Sequence, residues 1–137
     1  MRLLFQSDGG IKPTKSHSSD AGFDLYAIKN YEVTAKEATL IDLRIRILIP
    51  AGFTGLILPR SGLSSKGVTA AIGVIDSGYT GRIKVSMSCI AGTYHVHAGD
   101  RIAQLVILPL ARAHLEDGNV ELVEASRGAK GFGSSGL

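Results

Sequence analysis

An aspartate lies between an apolar run and a glycine-containing turn, a position that is unusual for a charged side chain. Asp76 follows the apolar residues 70–75 and precedes a Ser-Gly pair, and a second alternating run covers residues 82–89. Two such runs predict the strands of a hairpin with Asp76 at its tip. Its carboxylate either bonds the backbone of its own turn or acts as a general base in a pocket whose floor is the ring of Tyr79.

Two further segments carry groups that suit an anion and a metal ion. Arg60-Ser61-Gly62 stands where a strand is predicted to give way to a short helix, whose first N–H groups would point outward toward an anion. The alternative is an ordinary loop in which the serine caps the helix. Asp20 and Asp24 flank Ala-Gly-Phe, and carboxylates beside a phosphate cradle can hold magnesium through water, although such a pair more commonly caps turns.

The C-terminal residues 127–137 contain the parts of a nucleotide-binding segment. Arg127 offers a forked donor, Phe132 a flat ring, and Ser134 and Ser135 hydroxyl groups, among glycines that expose backbone N–H groups. A Gly-x-Gly-x-x-Gly spacing is present but lacks the preceding strand and following helix of a dinucleotide-binding turn, so we set that interpretation aside. We expect the segment to be mobile unless a ligand binds it, and a mobile tail without a ligand is the alternative.

Other residues with metal-binding or redox chemistry give weaker signals. His95 and His97 alternate on a predicted strand, so both rings would face one side. No cysteine or carboxylate stands at a recognisable ligand spacing, which argues against zinc. Cys89 is the single cysteine, so an internal disulfide is excluded and a buried core thiol is expected.

Length and composition limit the fold and the class of ligand. A chain of 137 residues is expected to form one domain, and 17 Gly without any heptad or long repeat favours short strands over helices. The net charge of +3 comes from scattered Lys and Arg, which slightly favours a small anionic ligand, so we expect no direct nucleic-acid binding. The sequence contains no membrane-length apolar run and no signal peptide, so we expect a soluble protein in the cytoplasm, or intracellular if viral.

The hydrophobic pattern places these candidates on strands and loops. Apolar residues alternate with polar ones over residues 41–49, which predicts one strand with a wet face. A second strand is predicted at residues 53–58, followed by a polar loop and one short helix at residues 63–66. Residues 102–110 are apolar apart from Gln104 and predict a strand buried on both faces. The overall prediction is therefore an all-β fold.

Five short motifs resemble, in order, those of the homotrimeric deoxyuridine triphosphatases (dUTPases). They are Ser-Asp-Ala-Gly-Phe-Asp-Leu-Tyr-Ala at residues 19–27, Pro-Arg-Ser-Gly-Leu-Ser-Ser-Lys at 59–66, Gly-Val-Ile-Asp-Ser-Gly-Tyr-Thr-Gly at 73–81, Gly-Asp-Arg-Ile-Ala-Gln-Leu at 99–105, and the glycine-rich segment 127–136. The resemblance implies a jelly-roll-type antiparallel β-barrel over residues 1–126 and a mobile arm, 127–137, that closes over the active site. It also implies a homotrimer whose active sites combine motifs from all three chains.

The resemblance implies a role for each matched residue. Asp76 would orient and deprotonate the water that attacks the α-phosphorus of dUTP, Tyr79 would lie under the deoxyribose and exclude a 2′-hydroxyl, and Asp24 would hold Mg²⁺ through water. Arg127 would act on the γ-phosphate as a second catalytic residue, and Phe132 would stack on uracil. The implied substrate-binding residues are Arg60, Ser61, Gly62, Gly73, Ile75, Tyr79, Lys84, Gln104, Arg127, Phe132, Gly133, Ser134 and Ser135. The products would be dUMP and pyrophosphate, which limits uracil incorporation into DNA and supplies dUMP for dTMP synthesis.

The sequence departs from the family pattern beside the third motif. Thr80 stands where arginine is common, and Arg82 where a small or acidic residue is common, so a salt bridge near the hairpin is expected to be absent or rearranged.

Two other functions remain open. A deaminase of the same fold acting on dCTP would need a glutamate near the hairpin, and none lies between Glu37 and Glu116. A binding protein that had lost turnover would be expected to lack one of the catalytic groups.

Overall fold

The computed structural model describes residues 1–122 and 127–131. These residues form strands connected by turns, with one short helix and a final 3-10 turn. The elements are β1 (Leu4–Ser7), β2 (Gly22–Tyr26), β3 (Tyr31–Thr34), β4 (Thr39–Asp42), β5 (Ile45–Leu48), β6 (Phe53–Leu58), α1 (Ser61–Ser64), β7 (Val68–Ala70), β8 (Gly73–Ile75), β9 (Lys84–Cys89), β10 (Thr93–Val96), β11 (Arg101–Pro109) and the 3-10 turn Val120–Leu122. The all-β prediction with one short helix is confirmed.

The strands form antiparallel sheets between which the chain passes repeatedly, as in a jelly roll. One sheet has the order β2-β11-β6-β8, a second has β4-β9-β7, and β1-β5 and β10-β3 form pairs. Across the described residues these sheets do not close into a single barrel. β11 lies between β2 and β6, and this central position brings the ends of three sequence motifs to one edge.

An apolar core lies between the sheets. Its largest fully buried side chains are Leu25, Val33, Ile41, Leu43, Ile45, Ile49, Val85, Met87, Val96, Ile102 and Leu105. Cys89 is only half-buried, with its thiol 3.3 Å from the Val33 carbonyl oxygen, so it packs against this core without being part of it. None of the described helices is long and apolar enough to cross a membrane.

The predicted continuous strand over residues 41–49 is two strands. The alternation of burial continues through Leu43, but the backbone turns at Arg44, whose φ is +54°. The Arg44 N–H donates to Asp42 Oδ1 at 2.8 Å, which stabilises the turn. Beyond this corner β5 pairs with β1, whereas β4 pairs with β9.

The predicted hairpin around Asp76 also takes a different form. The apolar run breaks after Ala70, so that β7 pairs with β9 while β8 pairs with β6 in another sheet. Residues 76–83 therefore connect two sheets instead of closing a hairpin between neighbouring strands. The prediction was wrong because hydrophobic alternation identifies strands without identifying their partners.

Two further boundaries differ from the sequence prediction. The helix begins at Ser61, two residues early, because Arg60 is extended and its carbonyl oxygen accepts the N–H groups of Leu63 and Ser64. The N-cap is thus Arg60, with no side-chain cap, and not the serine. β11 is buried on both faces only in its first half, since Leu108 and the residues after it are exposed.

Residues 110–122 run over the outside of this body. The Leu110 N–H still donates to the Gly52 carbonyl oxygen at 2.8 Å, but each residue from 110 to 122 is exposed. Leu115, Val120 and Leu122 are more than four-fifths exposed.

Candidate functional site

Residues from three distant motifs line one cavity of about 300 Å³. The strand pairing explains their convergence, because Gln104 of β11 is opposite Asp24 on one side and Leu58 on the other. The cavity is lined by Ser16, Asp20, Ala21, Gly22, Asp24, Arg60, Ser61, Gly62 and Gln104. The predicted residues Asp24, Arg60, Ser61, Gly62 and Gln104 are therefore together.

An ion-pair cluster forms one wall of this cavity. The Asp24 carboxylate is 16% exposed and lies 3.2 Å from Arg60 Nε and 3.7 Å from Arg101 Nη1. Arg60 Nη1 also donates to the carbonyl oxygen of Arg101 at 3.2 Å. With Asp20, which also lines the cavity, the two guanidinium groups and two carboxylates balance in charge, and the guanidinium groups of Arg60 and Arg101 are the groups that suit an anion such as a phosphate.

Arg101 was not among the predicted site residues. The signal in the sequence is its position in the fourth motif, immediately before the apolar strand that carries Gln104. Arg101 and Arg60 also border a neighbouring cavity of about 370 Å³ that Lys66 and Asp100 help to line. Three basic side chains and one carboxylate line that neighbouring cavity, so the excess of positive charge lies there.

Gln104 fixes the loop that follows β6. Its Nε2 donates to the Pro59 carbonyl oxygen at 3.0 Å, immediately before Arg60. A Cβ atom at Gly22 would come within 2.5 Å of Gln104 Oε1 and 3.1 Å of Gln104 Cβ, so a larger residue at this position would displace the glutamine side chain. The polar side chain in an otherwise apolar strand thus has a structural partner at the edge of the cavity.

Ser61 and Gly62 expose the start of α1 to the cavity. Both residues are exposed, and a Cβ atom at Gly62 would meet no atom of this chain within 4 Å. The Asp20 carboxylate caps a turn, which was the alternative to magnesium binding, since its Oδ2 accepts the His17 N–H at 2.9 Å. It nevertheless lines the same cavity as Asp24.

Asp76 is exposed after the end of β8. No residue in the ranges 1–122 and 127–131 donates a hydrogen bond to its carboxylate, so the alternative of a side chain committed to its own turn is not what the structure shows. Its backbone carbonyl oxygen accepts the Tyr79 N–H at 3.2 Å. The Tyr79 ring is 46% exposed and borders a separate cavity with Phe5 and Arg46.

Asp76 and the cavity lie at opposite ends of β6. β8 runs antiparallel to β6 with Gly73 opposite Ile57 and Ile75 opposite Gly55, so Asp76 is level with Thr54. Arg60 is six positions after Thr54, which at about 3.3 Å per residue is roughly 20 Å. Within one chain, Asp76 and Tyr79 are therefore not brought together with the residues of the cavity.

The remaining predicted residues of the third motif region are also away from the cavity. Ile75 contributes its carbonyl oxygen to a bond from Thr54 Oγ1 at 3.0 Å. Lys84 begins β9 opposite Asp42, in the other sheet. In the predicted arm, Arg127 Nε donates to the Lys130 carbonyl oxygen at 2.6 Å. Phe132, Gly133, Ser134 and Ser135 lie outside the described residues.

A second ion-pair cluster holds the segment after Tyr79. Asp8 Oδ2 lies 2.7 Å from Arg46 Nε and 3.1 Å from Arg82 Nε, and Arg82 Nη1 lies 3.3 Å from Asp42 Oδ2. Arg46 Nη1 donates to the carbonyl oxygen of Thr80 at 3.1 Å. The salt bridges near Thr80 and Arg82 are therefore rearranged into this cluster. Nothing in the sequence indicates that Asp8 and Arg46 belong to it.

This cluster changes the ionisation of its members. Hydrogen bonds from Arg46, Gln6 and Arg82 hold the pKa of the Asp8 carboxyl well below its usual range. Burial opposes ionisation of Asp42, but the Arg44 N–H and the Arg82 guanidinium together lower its pKa. Hydrogen bonds to Asp8 and Asp42 raise the pKa of Arg82.

The histidines do not form a metal centre with each other. His95 Nδ1 is 3.8 Å from Glu32 Oε1, and His97 Nδ1 is 3.7 Å from Asp100 Oδ2. Over residues 1–122 and 127–131, no group of three or more His, Cys, Asp or Glu side chains is arranged to hold a metal ion. A metal bound by three or more such side chains is therefore not a feature of the described part.

Comparison with known proteins identifies the family. A family profile described as dUTPase matches residues 9–136. The deoxyuridine 5'-triphosphate nucleotidohydrolase of Tropheryma whipplei is 39% identical over 141 residues, covering 99% of this chain and 94% of its own length. That of Cowpox virus is 38% identical over 141 residues, covering 100% of this chain and 93% of its own length.

Two solved structures share the fold. The dUTPase of Staphylococcus bacteriophage 80alpha, with dUpNHpp, superimposes with a TM-score of 0.91 at 29% identity and covers 99% of both chains. A mutant dUTPase from phage phi11 of S. aureus, which coordinates a structural Mg(II) ion, gives a TM-score of 0.80 at 27% identity and covers 86% of this chain and 97% of its own. The chain described here belongs to the dUTPase family.

Proposed function

We propose that this chain is a dUTP diphosphatase that hydrolyses dUTP to dUMP and pyrophosphate. Its relatives are named deoxyuridine 5'-triphosphate nucleotidohydrolases, and the phage 80alpha dUTPase carries dUpNHpp. The observation that carries the proposal is the polar cavity in which the first, second and fourth motifs meet, with Arg60 and Arg101 paired to Asp24 at its wall. The biological consequence would be a smaller pool of dUTP for incorporation into DNA and a supply of dUMP for dTMP synthesis.

The cavity is proposed to hold the phosphate chain. Arg60 and Arg101 offer guanidinium groups that suit phosphate oxygens, and the exposed Ser61 and Gly62 offer a hydroxyl and backbone N–H groups. Gln104 keeps this loop in place through its bond to Pro59 and borders the same space. Charge-assisted bonds of this kind contribute about 1.5–3 kcal/mol each.

The donor set fits magnesium bound through water. Mg²⁺ usually keeps several waters and is held by one or two carboxylates together with substrate phosphates, and Asp24 and Asp20 are carboxylates on the wall of this cavity. We propose that Asp24 holds the hydrated ion. When bound there, the ion would neutralise charge on the triphosphate and on the pyrophosphate leaving group.

Asp76 is proposed to be the general base. Its exposed carboxylate is free to accept a proton from a water molecule. The water oxygen forms a bond to the α-phosphorus, the bond from that phosphorus to the bridging oxygen breaks, and the water proton passes to Asp76. Pyrophosphate leaves with the bonding electrons, and no covalent intermediate on the protein is formed.

A complete site is proposed to require more than one copy of the chain. The attacked phosphorus is linked through one bridging oxygen to the phosphates held in the cavity, yet Asp76 lies roughly 20 Å from Arg60 in the same chain, estimated along the direction of β6. A homotrimer in which one copy provides the cavity and its neighbour provides Asp76 and Tyr79 resolves this difficulty. Exposed apolar side chains at Ile72, Val74 and along residues 110–122 support such an assembly.

The base and sugar are proposed to lie against the third motif. The half-exposed ring of Tyr79 would lie under the deoxyribose and leave no room for a 2′-hydroxyl, while the backbone near Gly73 and Ile75 would read uracil. Lys84 stays a predicted substrate contact. The arm, residues 127–137, would close over the bound nucleotide as a unit separate from residues 1–126. Arg127 would then contact the γ-phosphate, Phe132 would stack on uracil, and Gly133, Ser134 and Ser135 would line the substrate.

Nucleotide specificity tests the proposal directly. Purified protein is incubated with Mg²⁺ and dUTP, dCTP, dTTP or UTP, and pyrophosphate and ammonia are measured. We expect pyrophosphate from dUTP at a rate far above that from the other nucleotides, and no ammonia. Ammonia from dCTP would indicate a deaminase. Release of neither product from any nucleotide would indicate a binding protein. Either result would contradict the proposed function.

A further inference from the structure

The position of the Tyr79 ring depends on a segment that belongs to no strand. Residues 76–83 are attached to the body at each end, where the Gly78 N–H donates to the Ile49 carbonyl oxygen at 3.0 Å and the Ile83 N–H to that of Ile45 at 2.9 Å. Between these points the backbone of residues 79–82 carries the half-exposed tyrosine. Its placement needs further contacts.

Side chains supply those contacts. Arg46 Nη1 donates to the carbonyl oxygen of Thr80 at 3.1 Å, and the Tyr79 hydroxyl donates to that of Arg82 at 3.2 Å. A Cβ atom at Gly81 would overlap the Tyr79 ring, so the ring lies directly against the backbone of this segment. Any movement of residues 80–82 must therefore move the ring.

One carboxylate links the two arginines that hold the segment. Asp8 Oδ2 accepts from both Arg46 Nε and Arg82 Nε, and Asp8 Oδ1 accepts from Gln6 Nε2 at 2.8 Å. The Asp8 side chain is 15% exposed, and its backbone N–H donates to the Arg44 carbonyl oxygen at 2.9 Å. Asp8 therefore connects the segment after Tyr79 to the body from a fixed position, 74 residues away in sequence.

We propose that Asp8 is a positioning residue for substrate selection, acting through Arg46 and Arg82 on the ring of Tyr79. This inference rests on the proposed function, in which that ring excludes a 2′-hydroxyl. Without the Asp8 charge, the guanidinium groups of Arg46 and Arg82 remain close together without the carboxylate that joins them. Like charges in proximity repel. Arg46 and Arg82 then move apart, carrying the Thr80 and Arg82 carbonyl groups with them.

The test compares kcat/KM for dUTP and UTP in wild-type protein and in Asp8→Asn. Loosening the ring should lower the dUTP:UTP ratio by roughly 3- to 30-fold, which lies within the range of coupling measured between members of one salt-bridge network. KM for dUTP should rise more than kcat falls, because the ring binds sugar and does not react. Glu37→Gln is the matched control, since it also removes one acidic charge, from an exposed loop, and should leave the ratio unchanged.

A double-mutant cycle identifies the route of the effect. If Asp8 acts through Arg82, then Asp8→Asn combined with Arg82→Gln should lower the ratio no further than the more damaging single change. Should Asp8→Asn fail to fold, Arg46→Lys tests the same contact, because one ammonium cannot reproduce the forked bonds to Asp8 and Thr80. It should lower the ratio in the same direction.

The outcomes separate this inference from the proposed function. A folded Asp8→Asn or Arg46→Lys protein with the wild-type ratio, or additive effects in the cycle, would overturn the positioning role while dUTP hydrolysis by the wild type stands. Wild-type protein that releases no pyrophosphate from dUTP would overturn the proposed function and this inference with it.

Discussion

Mixing two damaged variants tests whether one active site takes its base and its phosphate cavity from different copies of the chain. In Asp76→Asn the base is removed, and turnover should fall by about 10²- to 10⁴-fold. In Arg60→Ala a charge-assisted phosphate contact of about 1.5–3 kcal/mol is lost, which corresponds to about 10- to 150-fold. Each variant alone should thus retain at most about a tenth of the wild-type rate.

The geometry of the shared site gives the expected recovery. In randomly mixed particles made from equal amounts, a site is intact when its cavity comes from an Asp76→Asn chain and its base from an Arg60→Ala chain. Each condition is met half the time, so about a quarter of the sites in a cyclic assembly should be intact. The unselected mixture should therefore reach about 25% of the wild-type rate. Each cyclic trimer that contains both variants has one intact site of three, so doubly captured particles should reach about a third of the wild-type rate, well above the mean of the two variants.

The assay needs proof that the chains have mixed. The two variants carry different affinity tags, are unfolded and refolded together, and are captured successively on both tags before pyrophosphate release is measured. Sedimentation should give three chains per particle. Doubly captured particles whose rate equals the mean of the separate variants would refute the shared site. They would also refute the inference that a second chain is needed to bridge the roughly 20 Å between Asp76 and Arg60.

Three further predictions follow from the site and from the second ion-pair cluster. Asp76→Asn should retain wild-type affinity for dUTP by calorimetry, because the base is proposed to contact water, and a large loss of affinity would speak against that role. Deleting residues 127–137 should leave a folded trimer whose turnover is lower by about 10³- to 10⁵-fold, and an unchanged rate in the truncated protein would remove Arg127 from the mechanism. The lowered pKa of Asp8 means that its ionised form stabilises the folded state above about pH 4 and that this contribution is lost as the pH falls through the folded-state pKa. The difference in Tm between wild type and Asp8→Asn should therefore shrink between pH 7 and pH 3, and a constant difference would mean that the Asp8 charge has no part in stability.

Much of the cavity around Asp24 and Arg60 could be predicted from short segments of sequence. The bounds of β6 agree with the predicted strand, and the loop after it carries Arg60, Ser61 and Gly62 as expected. Gln104 stood out because it interrupts an apolar strand, and the structure gives it a partner at Pro59. Local patterns suffice here because each motif occupies the end of one strand, and central β11 brings those ends together.

The parts that were missed depend on contacts between distant residues. Asp8 reaches Arg46 and Arg82 across 38 and 74 residues, and nothing near Asp8 in sequence indicates those partners. The partner of β8 is β6 and not β9. Packing between the sheets determines this pairing, and hydrophobic alternation along one strand does not reveal it. Arg44 was missed for another reason, since left-handed residues are usually glycine or asparagine.

The left-handed conformation of Arg44 brings together groups that a straight strand would keep apart. Residues 42 and 46 of a continuous strand are separated by about 13 Å, yet here Asp42 and Arg46 belong to one cluster through Arg82 and Asp8. The corner also turns the Arg44 carbonyl oxygen toward the N–H groups of Asp8 and Gly10, at 2.9 and 3.1 Å.

If Asp8 positions the Tyr79 ring as proposed, the left-handed corner at Arg44 contributes to that position, because the Arg44 carbonyl oxygen accepts the Asp8 N–H. A left-handed residue with a side chain costs about 1–2 kcal/mol, whereas glycine adopts the same φ freely. Arg44→Gly should consequently preserve the corner and the dUTP:UTP ratio, while the β-branched Arg44→Val should disturb both. The backbone conformation of a single residue outside the cavity would then affect how well the protein distinguishes a deoxyribose from a ribose.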